Sequence, residues 1–214
     1  MTPKTEEGVV VEYIVMRLGY GANCYIAYDA ATRQAVVIDP GAQGKKISKT
    51  LSDNNLQLRA VFITHGHFDH VSGLKELLGY REERPDVWIS RAEREIQEFP
   101  YQQKLLDDIQ FRFWTDGEEI AVGPMVFTIL TTPGHSPGSV CVHCEDRLFT
   151  GDTLFRGAIG RLDFPGGSQA QMIQSLKKIA ALEGDLEVLP GHEASSQLEF
   201  EKRTNRYLIA ITNY

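Results

Sequence analysis

The chain has 214 residues, of which 42% are apolar and 24% charged, with a formal net charge of −7 at pH 7. That length and balance build a globular domain with a sizeable core and exclude fibrous and disordered classes. The acidic balance argues against a nucleic-acid partner, and the longest charge-free run, 120–144, is cut by Pro124, Pro133 and Pro137, so it does not read as a membrane span.

The first forty residues alternate strand and turn. Val9 to Arg17 is β-branched and apolar, Gly19-Tyr20-Gly21 is a turn, and Asn23 to Tyr28 and Gln34 to Ile38 are two further strands, the latter stopped by Asp39-Pro40-Gly41. Ile47 and Leu51, four apart, suit a short helix over 46–54. Ala60-Val61-Phe62-Ile63 is a short buried strand that runs into His65, and Val71, Leu74, Leu77 and Leu78 then mark one helical face closed by Gly79. Arg91 to Leu106 reads as a surface helix broken at Pro100. Strands are expected again over 125–131, 139–142 and 147–150. Ser168 caps a helix through Met172, Leu176 and Ile179, Leu186 to Leu189 is a last buried strand, and a polar helix follows. No linker divides 1–214, so the pattern implies one α/β domain, a layered sandwich of two strand-rich halves.

The segment Thr64-His65-Gly66-His67-Phe68-Asp69-His70 places three histidines and a carboxylate within six positions. In an extended loop residues two apart point the same way, so His65 and His67 converge on one ion, while Asp69 and His70 project toward a neighbouring point. Three later sites repeat one grammar of strand, Gly- or Pro-bearing turn and ligand-type residue. They are Thr132-Pro133-Gly134-His135, Thr150-Gly151-Asp152-Thr153 and Leu189-Pro190-Gly191-His192. These segments hold every histidine except His143. Seven ligands suffice for two divalent ions, and Asp152, the carboxylate outside the dense loop, is the natural bridge. Water between two such ions loses a proton near neutral pH, which is the equipment of a metallohydrolase.

Together with His135, Asp152 and His192, the string T-H-G-H-F-D-H resembles the metallo-β-lactamase superfamily. The phrases Thr132-Pro133-Gly134-His135-Ser136-Pro137-Gly138-Ser139, Gly151-Asp152-Thr153-Leu154-Phe155 and Pro190-Gly191-His192-Glu193 are similar to its glyoxalase II branch. The resemblance runs from about Asn23 to Glu193 and implies an αββα four-layer sandwich with the metals at one edge. It implies His65, His67 and His135 on one metal, Asp69, His70 and His192 on the other, and Asp152 between them. Asp69 and Asp152 are the candidate catalytic carboxylates. Asp39 resembles the aspartate that orients a ligand from behind, and equally suits a turn before Pro40-Gly41.

Departures from the branch narrow the substrate. Full-length glyoxalase II carries a Lys-x-Tyr element after Gly-Asp-Thr-Leu-Phe, a Tyr after Gly-His-Glu and a C-terminal helical domain. Here the corresponding stretch is Gly157 to Gly167, Ala194 follows Glu193, and residues 193–214 are all that follow His192. Much of the glutathione clamp is therefore missing, and Gly160-Arg161-Leu162-Asp163-Phe164-Pro165-Gly166-Gly167 resembles the short bacterial glyoxalase II-like hydrolases. Arg161 is either the group that binds a substrate carboxylate or the partner of Asp163. Cys141-Val142-His143-Cys144 is too oddly spaced for a metal pair and reads as packing.

The expected activity is hydrolysis of an acyl-thioester such as S-lactoylglutathione by a metal-bridging hydroxide. Zinc is the first choice of ion, with iron and manganese also suited to the donors. A mononuclear-iron persulfide dioxygenase, using His65, His135 and Asp152, is the alternative from another class, and a lactonase of the same fold a third. Three cysteines and the N-terminal Met1 to Glu7, which has no signal-peptide pattern, suggest a reducing cytoplasm. A small-molecule partner is expected, with neither nucleic acid nor membrane. The region 82–113, with Trp88, Phe99, Tyr101 and Trp114 in and around it, is expected to cover part of the site, its aromatics belonging to the core more than to the pocket wall.

Overall fold

A computed structural model describes residues 10–96 and 100–212. It opens with β1 (Val11–Leu18), β2 (Ala22–Asp29) and β3 (Gln34–Ile38), then α1 (Gly44–Asp53), β4 (Gln57–Phe62), α2 (Phe68–Val71) and α3 (Leu74–Gly79). β5 (Asp86–Ile89), α4 (Arg91–Glu95), α5 (Pro100–Leu106) and β6 (Arg112–Phe113) complete the first half. The second half holds β7 (Glu119–Val122), β8 (Met125–Thr131), β9 (Val140–Cys144), β10 (Arg147–Gly151), the hairpin β11 (Leu154–Phe155) and β12 (Ala158–Ile159), and α6 (Gln169–Ala180). β13 (Glu187–Pro190), β14 (Ser196–Gln197), α7 (Leu198–Thr204) and α8 (Arg206–Thr212) end it.

Two six-stranded sheets result, ordered β1-β2-β3-β4-β5-β6 and β14-β13-β10-β9-β8-β7. Both are mixed: β3 through β6 run parallel, as do β10 and β13, and the remaining pairs are antiparallel. Alternate residues of each strand serve different layers. Ile26, Val37 and Val61 point outward to Ile47 and Leu51 of α1 and Leu74 and Leu77 of α3. Their neighbours Ala27, Val36, Ile38, Ala60 and Phe62 point inward, against Phe127, Ile129, Val142 and Phe149 of the second sheet. The outer face of that sheet packs Leu148 and Val188 on Met172, Leu176 and Ile179 of α6 and Leu208 of α8. These layers are the expected αββα sandwich. The central strands are apolar on both faces because both faces are covered.

Most elements lie within two or three residues of their expected positions, and the differences have local causes. Val9, the first residue of the expected opening strand, is outside the described residues. The helix after His70 is two pieces because Gly73 bonds Pro40 O at 2.8 Å and ties the chain to the β3–α1 loop. Pro100 opens α5 rather than merely ending its predecessor, a position where its missing N–H costs nothing. Ser168 caps α6 as expected, its Oγ accepting from Gln171 N at 3.4 Å. The short β5, β6, β11, β12 and β14 carry too few residues to show a period and were not foreseen, whereas β13 is the expected last buried strand. Cys141 and Cys144 face different layers, Cys141 toward α6 and Cys144 between the sheets, so the two thiols are packing groups.

Candidate metal centre

Strands of both sheets end at one edge of the sandwich, and their last residues decide what is presented there. β4 delivers Ile63, Thr64 and His65 without exposing any of them. β8 runs into a tight turn closed by Thr132 N on Ser139 O at 2.8 Å, which holds His135 inward. β10 ends in Gly151 at φ +47°, where a side chain would stand 2.5 Å from Thr64 Oγ1; the turn sets Asp152 beside the histidines. β13 ends in Pro190, whose carbonyl accepts from Asn23 Nδ2 at 2.9 Å and Tyr25 OH at 2.7 Å, and Gly191 N bonds Gly151 O at 2.8 Å. His192 is thereby fixed against Asp152.

All seven expected ligand residues meet at this edge. His65, His67 and His135 form one group, and Asp69, His70 and His192 a second, with ligand atoms in each within 4.8 Å of one another; Asp39, His65 and His70 satisfy the same criterion. Asp152 lies between the two groups. Its Oδ2 is 3.5 Å from His135 Nε2 and 3.7 Å from His192 Nε2, and its Oδ1 is 3.5 Å from His70 Nε2. His65 Nε2, His70 Nε2 and Asp152 Oδ1 are buried with no hydrogen-bond partner. Orphaned buried atoms of that kind are costly in a protein interior, and imidazole nitrogen with carboxylate oxygen is the donor set of zinc and its neighbours. The residues fit a divalent metal centre.

Protonation divides the two groups. Burial, then the neighbouring imidazoles, push His65 well below the ordinary imidazole range and His67 down to about 3, so both hold their lone pairs. At His70 burial acts in the same downward direction, but Asp152, Asp39 and Asp69 outweigh it and raise the ring to about 9. Burial would raise Asp69, yet the hydrogen bond from His192 and the charge of His70 win and hold it at about 2; His192 is raised in turn, chiefly by that bond, at 3.1 Å.

Asp39 sits at the end of β3 with φ +52°, fully enclosed, and its role is visible. Its carboxylate accepts Thr64 N at 2.7 Å, Thr64 Oγ1 at 2.6 Å and His70 Nδ1 at 2.9 Å. With Nδ1–H donated to Asp39, Nε2 is the nitrogen that faces Asp69 and Asp152. Arg161 pairs with Asp163 through two bonds of 2.7 Å, and the pair is exposed. The same guanidinium stands 3.9 Å over the Phe164 ring, which meets His67 edge-on at 5.4 Å, so the pair is also the rim of the site. Arg161 O accepts His135 Nδ1–H at 2.8 Å.

Three contributors had no sequence signal. Thr64 looked like the end of a strand, Phe164 part of a loop phrase, and Glu93 one acidic residue in a charged helix, although it is buried and bonds both histidine-bearing loops. Of the aromatics in and around 82–113, Trp88 and Trp114 belong to the core. Trp88 stacks on Trp114 at 6.4 Å against the core between the sheets. Phe99 and the side chain of Tyr101 lie outside the described residues.

Residues 17–192 match the Metallo-beta-lactamase superfamily. A hydroxyacylglutathione hydrolase, GloC, of Haemophilus influenzae is 31% identical over 207 residues, covering 91% of this chain and 96% of its own. Among solved structures, BLEG-1 B3 metallo-beta-lactamase superposes with a TM-score of 0.82 at 28% identity, covering 92% of this chain and 99% of its own. TTHA1623 in a di-iron-bound form gives 0.78 at 30% identity, covering 91% and 100%. ETHE1 from Myxococcus xanthus gives 0.76 at 29% identity, covering 94% and 90%. The profile match, the four-layer fold and the histidine–aspartate edge agree: the chain belongs to the metallo-β-lactamase superfamily and is a metal-dependent hydrolase of that superfamily.

Proposed function

We propose that the protein hydrolyses acyl-thioesters, S-lactoylglutathione being the substrate to try first. The observation that carries this reading is Asp152, whose two oxygens lie 3.5 Å from a histidine of each ligand group. His65, His67 and His135 would hold one ion and Asp69, His70 and His192 the other, with Asp152 shared; zinc is the first candidate, and the di-iron relative keeps iron in view. Bound divalent ions supply Lewis acidity, polarising a carbonyl and lowering the pKa of water.

The chain's own groups do the rest. Asp39 and the carbonyl of Arg161 fix the tautomers of His70 and His135 so that both present Nε2 inward. Asp69, ionised and bonded to His192, offers an acceptor beside Asp152 for orienting the attacking water. Phe164 forms an apolar wall on His67. Arg161, held by Asp163 at the rim, can exchange that partner for a substrate carboxylate and grip it with the same two-pronged geometry.

The test is steady-state hydrolysis of S-lactoylglutathione by zinc-reconstituted protein, with an unrelated acyl-thioester as control. A kcat/KM of at least ~10⁴ M⁻¹s⁻¹ with clear preference over the control is expected. Weak turnover without preference overturns the glutathione reading. The likeness to ETHE1 favours one second reading, persulfide oxidation on a single iron at His65, His135 and Asp152. Oxygen uptake by iron-loaded protein with glutathione persulfide tests it, and no uptake removes it.

A further inference from the structure

The three-histidine group is assembled from two sheets. His65 and His67 follow β4 of the first, and His135 follows β8 of the second. Packing of apolar side chains sets the distance between sheets only loosely, whereas three nitrogens around one ion tolerate errors of a fraction of an ångström. Something must fix the gap where the loops meet.

Glu93 spans it. It lies in α4 between exposed Arg91 and half-exposed Arg94, yet is itself 2% exposed. Its Oε2 accepts Gly66 N–H at 2.7 Å, and Gly66 stands between His65 and His67. Its Oε1 accepts Gly138 N–H, also at 2.7 Å, in the turn that presents His135. One carboxylate therefore joins the two loops, an oxygen to each. Both receiving residues lie close against the helix: a side-chain carbon on Gly66 would stand 3.0 Å from Glu93 Oε2, and one on Gly138 2.8 Å from Glu93 Cγ and 2.6 Å from Ser90 Oγ. α4 is held in place behind this contact by Gln103, whose Nε2 donates to Glu93 O at 3.0 Å. A backbone bond between the same segments, Val140 N to Thr64 O at 3.0 Å, lies on the strand side of the histidines.

We infer that Glu93 is a positioning residue which sets the separation of His65 and His67 from His135, and thereby the metal affinity of the three-histidine group alone. The inference rests on the metal-binding part of the reading above and is independent of the thioester substrate. A buried carboxylate costs several kcal/mol unless its oxygens are bonded, so a residue that served only to fill α4 would be better apolar. Asp39 does the corresponding work at the second group, through Thr64 and His70.

The test is zinc titration of metal-free protein against a competing chelator, with cobalt(II) spectra to tell a tetrahedral nitrogen site from a carboxylate-containing one, and thermal unfolding of each metal-free variant. Glu93→Gln keeps one acceptor and turns an amide toward the other N–H. It is expected to weaken one site by about 10- to 100-fold and leave the second at wild-type affinity. Glu93→Ala is expected to weaken the same site further. Glu201→Gln serves as the control, since Glu201 is another buried carboxylate that accepts a backbone N–H, from Gly157 at 2.8 Å, away from the ligand loops. Unchanged affinity at both sites in Glu93→Gln overturns the inference. So does a parallel loss at both that follows the fall in unfolding temperature as it does in Glu201→Gln. A wild-type chain that takes up no metal removes the metal reading and this inference together, whereas two intact sites with no thioesterase activity remove only the substrate.

Discussion

The two ligand groups sit side by side and differ in how they manage charge. The three-histidine group contains His65 and His67, which burial and the neighbouring imidazoles push well below the ordinary range, and its two loops are joined by Glu93. The second group contains Asp69, lies beside Asp39 and Asp152, and raises His70 and His192 against burial. One group offers nitrogen donors alone, while the other carries a carboxylate of its own beside its histidines. Asp152 stands between them, 3.5 Å from a histidine of each, and is the residue through which two bound ions would be coupled.

That comparison breaks most completely at Asp152. Asp152→Asn removes the charge shared by both groups, and turnover and retained metal are expected to fall together to the limit of detection, read by thioester assay and elemental analysis. Full activity in that variant would sink the mechanism. Asp39→Asn separates the groups. Its amide must turn a donor toward Thr64 or His70, and metal affinity at the carboxylate-containing group is expected to drop about 10- to 100-fold while the three-histidine group keeps its own. Equal losses at both would mean that Asp39 acts on the fold rather than on His70. Arg161→Ala is smaller again. It should raise KM for a carboxylate-bearing thioester about tenfold with kcat nearly unchanged, on the scale of one lost charge-assisted pair. A fall in kcat at constant KM would place Arg161 in the chemical step instead.

The smallest effect concerns groups outside the contrast. Burial pushes the Cys141 thiol up to about 11 and Cys144 up to about 12. Because these folded-state values lie above the ordinary one, the stability they contribute is present below about pH 9 and is lost as pH rises toward 11. At pH 8 a thiol-reactive probe should label none of the cysteines in native protein and all three after unfolding. Rapid native labelling would contradict the packing role.

No described helix is long and apolar enough to cross a membrane, as the proline-interrupted apolar run suggested. The residues brought together at the sandwich edge were legible as candidate ligands because metal chemistry restricts such sets to a few residue types, and because each follows a strand and a turn that are themselves legible. Ser168 and the face of Met172, Leu176 and Ile179 were legible for a similar reason: a cap and a 3.6-residue period are local. Nothing local distinguishes Glu93 from Glu95, two residues on and exposed. Asp39 was ambiguous because its turn-forming position and its bonds to Thr64 and His70 call for the same residue, and Arg161 turned out to be both ion pair and rim.

The amino-acid sequence by itself determined the longer strands, the two main helices and the set of side chains able to hold metal, since each of those depends on neighbours a few positions away. Only the tertiary structure decided which nitrogen faces which carboxylate, how the ligands divide into an all-histidine and a carboxylate-containing group, and which buried carboxylates hold them. Those outcomes depend on segments 25 and 45 residues apart closing on one another: Asp39 on Thr64 once β3 and β4 pair in one sheet, and Glu93 on Gly138 once the two sheets pack.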